Sequence, residues 1–282
     1  MLSLGQVRVL VAGLDHPEGV TVDADGGLYA GGEAGQVYRV DPEAGTVQQV
    51  ADTGGFLLGL CADSSGRLYA CDVAAGAVLR VDPRTGSVET WSRGAPDRPL
   101  VNPNWPVFTD DGTLYVTDSG SWQGDDGCIL RVSADGTTAV WTEEVSSFPN
   151  GACLTADGTA LLVLESCTPA LVRVRIGSDG RAGPREVLAE LPGTVPDGVT
   201  VTEDGTAYVC CYRPDRILAV RPTGEVDVLV DDPQGTVLAA PTNGVWLEPE
   251  RTRLVTGNLG RWHLSVLEPG GIGVPLRYGQ VP

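Results

Sequence analysis

The sequence predicts an all-β fold, a six-bladed β-propeller with four antiparallel strands per blade, and three observations predict it. A tight turn leading into a short strand recurs along the chain, at intervals of 40 to 47 residues. Each copy has room for four short strands of alternating or β-branched residues. No stretch carries the 3.6-residue periodicity of a long helix. A sandwich is the competing all-β architecture, but it does not call for so regular a recurrence.

The turns follow in order. Asp25-Gly26-Gly27-Leu28-Tyr29, Ser65-Gly66-Arg67-Leu68-Tyr69 and Asp111-Gly112-Thr113-Leu114-Tyr115 open the series. Asp157-Gly158-Thr159-Ala160-Leu161 and Asp204-Gly205-Thr206-Ala207-Tyr208 continue it, and Glu250-Arg251-Thr252-Arg253-Leu254 is a looser sixth copy. Glycine at the turn supplies the positive φ of a tight hairpin. A third strand follows in each copy, as in Gln36–Val40 and Ala77–Val81, and in the first two an Asp-Pro turn (Asp41-Pro42, Asp82-Pro83) leads to a fourth. Residues Gln6–Val11 are expected to supply the outer strand of the last blade and so close the ring, removing its exposed sheet edges. The whole chain, 1–282, reads as one such domain.

Composition limits the function. The chain has 282 residues, 19 Lys+Arg against 37 Asp+Glu and a net charge of −18. Such a balance argues against a nucleic-acid groove, which needs clustered cations. There is no lysine, which removes Schiff-base chemistry. Seven cysteines with no C-x-x-C spacing argue against a zinc ribbon or a disulfide scaffold and fit a reducing compartment. The vicinal Cys210-Cys211 pair reads as ordinary strand residues before it reads as a redox element. No signal-peptide pattern or apolar span is apparent, so a soluble, cytoplasmic protein is expected, with no membrane partner and an oligomeric state left open. Gly-x-Ser-x-Gly and phosphate-loop patterns are absent as well.

Chemistry is expected at the axis, where innermost strands begin. Counting eleven positions back from the aromatic or leucine of each hairpin gives Glu18, Leu58, Asn104, Asn150, Asp197 and Asn243. Five of the six carry side-chain oxygen at the head of otherwise apolar strands. Turn preference explains any one of them, but not the shared register. Two carboxylates and several amide oxygens suit a hard divalent cation, Ca²⁺ first, with Mn²⁺, Mg²⁺ and less readily Zn²⁺ as alternatives. Asp72, Asp118, Glu165 and Asn258, which end second strands, are expected to support the ring or lie at its rim. His16 is a candidate proton shuttle at the channel mouth, with a plain loop histidine as the competing reading. His263 is a candidate rim residue.

Pro17-Glu18-Gly19, Asn104, Pro149-Asn150-Gly151 and Pro196-Asp197-Gly198, in that order and register, resemble the family of gluconolactonases, senescence marker protein and luciferin-regenerating enzyme. The resemblance runs from about Gln6 to Leu267. It implies a six-bladed propeller, a metal held by Glu18, Asn150 and Asp197, and Asn104 near water or substrate, with Asp197 as the catalytic carboxylate. It implies a metal-dependent hydrolase that opens a lactone or related ester of a small-molecule substrate.

Three departures bear on the substrate. Asn104-Trp105-Pro106 stands where sugar lactonases have Asn-Asp-Gly, Asn102 stands where an arginine is common, and a substrate-binding acid is replaced near Trp122. A flatter, less polar substrate than a sugar lactone is therefore expected, with Trp105, Trp122, Asn243, His16 and Tyr212 among its candidate contacts and Phe148 and Trp262 close by, and with packing between blades as the competing reading for each aromatic. The alternatives are another metal-assisted reaction, such as a cyclisation or isomerisation, and a non-catalytic propeller pinned by its ion.

Overall fold

A computed structural model describes residues 1–282. Six four-stranded antiparallel sheets form the blades of a propeller, a two-stranded ribbon (Gly94–Ala95 with Arg98–Pro99) lies between the second and third, and the one helical element is the 3₁₀ turn Leu4–Gln6. In the first blade the order from axis to rim is Val20–Val22, Leu28–Gly31, Gln36–Asp41 and Thr46–Asp52. The other innermost strands are Leu57–Ala62, Pro103–Phe108, Pro149–Leu154, Val195–Val201 and Pro241–Trp246. Inner strands are buried and outer strands alternate between buried and exposed, so the apolar clusters lie within and between blades. The hairpin glycines Gly26, Gly66, Gly112, Gly158 and Gly205 have φ between 69° and 84°, and in the looser sixth turn Arg251 takes that conformation, at 52°.

Ring closure follows the expected plan with a small offset. The strand Arg8–Ala12 pairs antiparallel with His263–Leu267 and forms the outer edge of the last blade. It begins two residues later than expected because Ser3 and Gln6 cap the preceding turn, whose last hydrogen bond runs from Val7 N to Leu4 O at 3.1 Å.

The segment after Leu267, in which the sequence shows no repeat, crosses the far end of the channel. Val274 N donates to Val201 O of the fifth blade at 2.9 Å, and Ser64 N of the second blade donates to Gly279 O at 3.1 Å. Those two blades oppose each other, so the segment spans the diameter. Val274, Leu276 and Tyr278 line a largely apolar axial cavity of about 70 Å³ with Leu60, Phe108 and Leu154. The opposite end is left as the mouth.

Candidate functional site

Five of the six hub residues sit where their strand breaks register. The pairing of innermost and second strands is irregular between Leu57 and Leu60, Pro103 and Trp105, Pro149 and Ala152, Pro196 and Val199, and Pro241 and Gly244. Those intervals contain Leu58, Asn104, Asn150, Asp197 and Asn243, while Glu18 lies just ahead of Val20–Val22. A bulge takes a residue out of the ladder and re-aims its side chain. Proline lacks the N–H that a ladder requires, so it is tolerated before Asn104, Asn150 and Asp197.

Glycine lets these bulges approach one another. A Cβ on Gly19 would strike Leu58 O of the next blade, one on Gly59 would lie 2.5 Å from Asn104 O, and one on Gly151 would lie 2.5 Å from Asp197 O. One on Gly198 would strike the Asn243 side chain. The heads of successive inner strands therefore touch around the axis.

All five polar hub residues are buried, at 1–7% exposure: Glu18, Asn104, Asn150, Asp197 and Asn243. Leu58 is the apolar sixth member. Asn104 Oδ1, Asn150 Oδ1, Asp197 Oδ1 and Asn243 Nδ2 are fully enclosed and have no hydrogen-bond partner. Unpaired buried polar atoms are rare and costly. Burial, then the neighbouring Asp197 and Glu33 charges, pushes the Glu18 carboxyl well above its ordinary value. Burial pushes Asp197 up to about 8. Two enclosed carboxylates with no cation beside them cannot both hold their charge cheaply. Enclosed oxygens and uncompensated negative charge are what a hard divalent cation neutralises, so this set fits one, and the lack of imidazole or thiolate in it disfavours zinc.

Several residues that fix the hub escaped the sequence reading. Ser166 Oγ donates to Pro196 O at 2.6 Å and accepts from Asn150 Nδ2 at 3.1 Å, leaving Oδ1 as the free Asn150 atom. Thr117 Oγ1 donates to Asn150 O and Thr242 Oγ1 to Glu18 O, each at 2.9 Å and each from the preceding blade. None of these hydroxyls shares the hub register; their only sequence signal is a Ser or Thr in, beside or just after a buried strand.

The second-strand acids are supports. Asp72 accepts from Phe56 N and Ala75 N, and Asp118 accepts from Asn102 N at 2.6 Å. Glu165 is ion-paired with Arg185 and accepts from Ser147 N. Asn258 Nδ2 donates to His263 O.

The aromatic candidates divide. Trp105 is only 9% exposed and packs among Tyr115, Ala152 and Leu161. This corrects its expected place at the mouth. It follows a hub residue, where four other blades have glycine against a neighbouring blade, so its ring fills the space above Gly59. Trp122 and Phe148 stack edge to face at 4.9 Å, and His16 and Trp262 do so at 5.5 Å. Tyr212 is half-buried beneath the Arg213 guanidinium. His263 is buried and donates from Nε2 to Val237 O at 2.9 Å, so it is a packing residue and not part of the rim.

A second acidic group lies at the rim, where Asp15, His16 and Glu33 bring ligand-type atoms within 4.8 Å of one another. Two of the three side chains already have partners. Asp15 Oδ2 accepts from Gln36 Nε2 at 3.1 Å, and His16 Nδ1 donates to Leu259 O at 2.9 Å. All seven cysteines are free thiols, and burial holds both Cys210 and Cys211 above the ordinary range. No helix is long and apolar enough to cross a membrane.

The fold and hub define a β-propeller with a polar axial site open at one end. The chain belongs to the SMP-30/gluconolactonase/LRE-like family, whose region matches residues 17–255. It is 31% identical over 171 residues to the strictosidine synthase-like 3 protein of Arabidopsis thaliana, a match covering 55% of this chain and 43% of that one. The chain thus spans less than half the length of that relative.

Among solved structures, a gluconolactonase of Xanthomonas campestris superposes with a TM-score of 0.78 at 20% identity, covering 93% of this chain and 89% of the other. A calcium-binding protein, the regucalcin of Agrobacterium tumefaciens, superposes with a TM-score of 0.76 at 18% identity, covering 97% and 95%. At these identities the superpositions speak to the fold.

Proposed function

We propose that the protein is a metal-dependent hydrolase that opens a lactone or related cyclic ester, not a typical sugar lactone, at a divalent cation in the hub. Calcium is the favoured ion. The observation that carries this reading is the enclosure of unpartnered Asn104, Asn150 and Asp197 oxygens, with Glu18 as a second buried carboxylate. Membership of a family that includes gluconolactonases supports the reaction class, and the calcium-binding regucalcin with the same fold supports the ion.

In this reading Glu18, Asn150 and Asp197 hold the cation. Ser166 keeps Asn150 Oδ1 turned to the axis by taking up its Nδ2. When bound, the cation supplies a Lewis acid that polarises the ester carbonyl and offsets the charge developing on it. Asn104 orients the attacking water. Asp197 accepts a proton from that water through an oxygen not engaged in ligation, as the water oxygen bonds to the carbonyl carbon. The ring C–O bond then breaks, and the Asp197 carboxylic acid returns its proton to the departing alkoxide. The product is a hydroxy acid. The apolar cavity below and the segment across the far end keep bulk water out of the axis.

The test is a panel of lactones assayed with calcium and with chelator. Hydrolysis that stops on chelation and returns with calcium is expected, with Asp197→Asn lowering kcat by about 10²–10⁴-fold. Wild-type rates in that variant, or turnover indifferent to chelator, would overturn the assignment.

A further inference from the structure

The mouth has two aromatic walls, on opposite sides of the ring. Phe148 lies two residues before Asn150 in the fourth blade, and His16 two residues before Glu18 in the first. First and fourth blades stand on opposite sides of a six-membered ring. Phe148 and His16 both hold positive φ, at 58° and 41°, a conformation unusual for residues with a side chain. Each carries an edge-to-face partner, Trp122 and Trp262 respectively. The two tryptophans are 54% and 57% exposed, which is uncommon for residues of that size.

Polar recognition at the same end is largely committed elsewhere. Asp72 and Asp118 are used by loop N–H groups and Glu165 by Arg185. Asp215 accepts from Ala240 N at 2.6 Å, and Asp232 accepts from Val237 N and Leu238 N. A polyhydroxylated ring needs convergent donors and acceptors, whereas a flat π-system needs ring faces and edges.

We propose that the Trp122–Phe148 and His16–Trp262 pairs determine specificity, selecting a lactone fused to or bearing an aromatic ring. The inference rests on the lactonase reading above and names its substrate class. An aromatic ring entering between the walls presents its face or edge to both tryptophans while its ester carbonyl points down to the hub.

The experiment compares kcat/KM for a benzo-fused six-membered lactone with that for its saturated bicyclic counterpart and for a polyhydroxylated six-membered lactone, all with calcium. The wild type is expected to prefer the benzo-fused compound to both others by about tenfold or more. Trp122→Leu and Trp262→Leu should each lower the aromatic-to-saturated ratio by roughly five- to tenfold, and Trp122→Phe should restore most of it. Both side chains are more than half exposed, so the folded state tolerates the changes. A ratio unmoved by either leucine variant would overturn the proposal and leave the lactonase reading standing. A preference for the polyhydroxylated lactone would overturn the proposal and the exclusion of sugar lactones, leaving only metal-dependent lactone hydrolysis. Failure of the wild type to open any of the three would overturn both.

Discussion

Replacing Asp197 by asparagine should make the metal-free protein more stable, although it removes the proposed catalytic group. Burial raises this carboxyl from an ordinary 3.8 to about 8. A carboxyl that is harder to ionise in the folded chain than in the unfolded one contributes no penalty below pH 4. The penalty grows as pH rises to about 8, at about 1.4 kcal/mol per pH unit. The ceiling is thus about 6 kcal/mol at pH 8, and water entry with side-chain relaxation should leave roughly 2 kcal/mol. For a chain of this size that is a gain of about 4 °C in Tm. Thermal unfolding in chelator should show the gap at pH 8 and only about 1 °C of it at pH 5. With calcium at a hundred times its Kd, the wild type gains about 2.7 kcal/mol that the variant lacks, and the order reverses. A variant less stable than wild type in chelator at pH 8, or a gap independent of pH, would refute the reasoning.

Two further substitutions probe the same construction. Gly151→Ala places a Cβ 2.5 Å from Asp197 O and from Gly198 Cα, backbone that cannot yield, so the loss should be about 3 kcal/mol and about 6 °C in Tm by calorimetry. Ser166→Ala frees the Asn150 amide to turn, and calcium affinity by titration calorimetry should weaken about tenfold, with Asn150→Ala at least as severe.

The blade pattern was legible because a hairpin is local: Asp25-Gly26 or Asp204-Gly205 states its turn within a few residues. The hub was legible because its members share one offset from those turns, and the structure places all six where inner-strand heads meet. Trp105 was misplaced because its surroundings depend on Gly59, a blade away. Ser166, Thr117 and Thr242 were missed for the same reason, since each bonds a carbonyl at least 30 residues distant and shares no register with the others. The segment crossing the far end of the channel was illegible because it repeats nothing, and only the completed ring gives Val274 and Gly279 their partners.

The claim on which the account turns is that one divalent cation sits among the hub oxygens. Calcium titration of metal-stripped protein by calorimetry tests it most directly, comparing wild type with Glu18→Gln, Asp197→Asn and a rim variant, Glu33→Gln. One site per chain is predicted, lost or severely weakened in both hub variants and retained in Glu33→Gln. No binding by the wild type, or binding that survives both hub changes and disappears with Glu33, would contradict it.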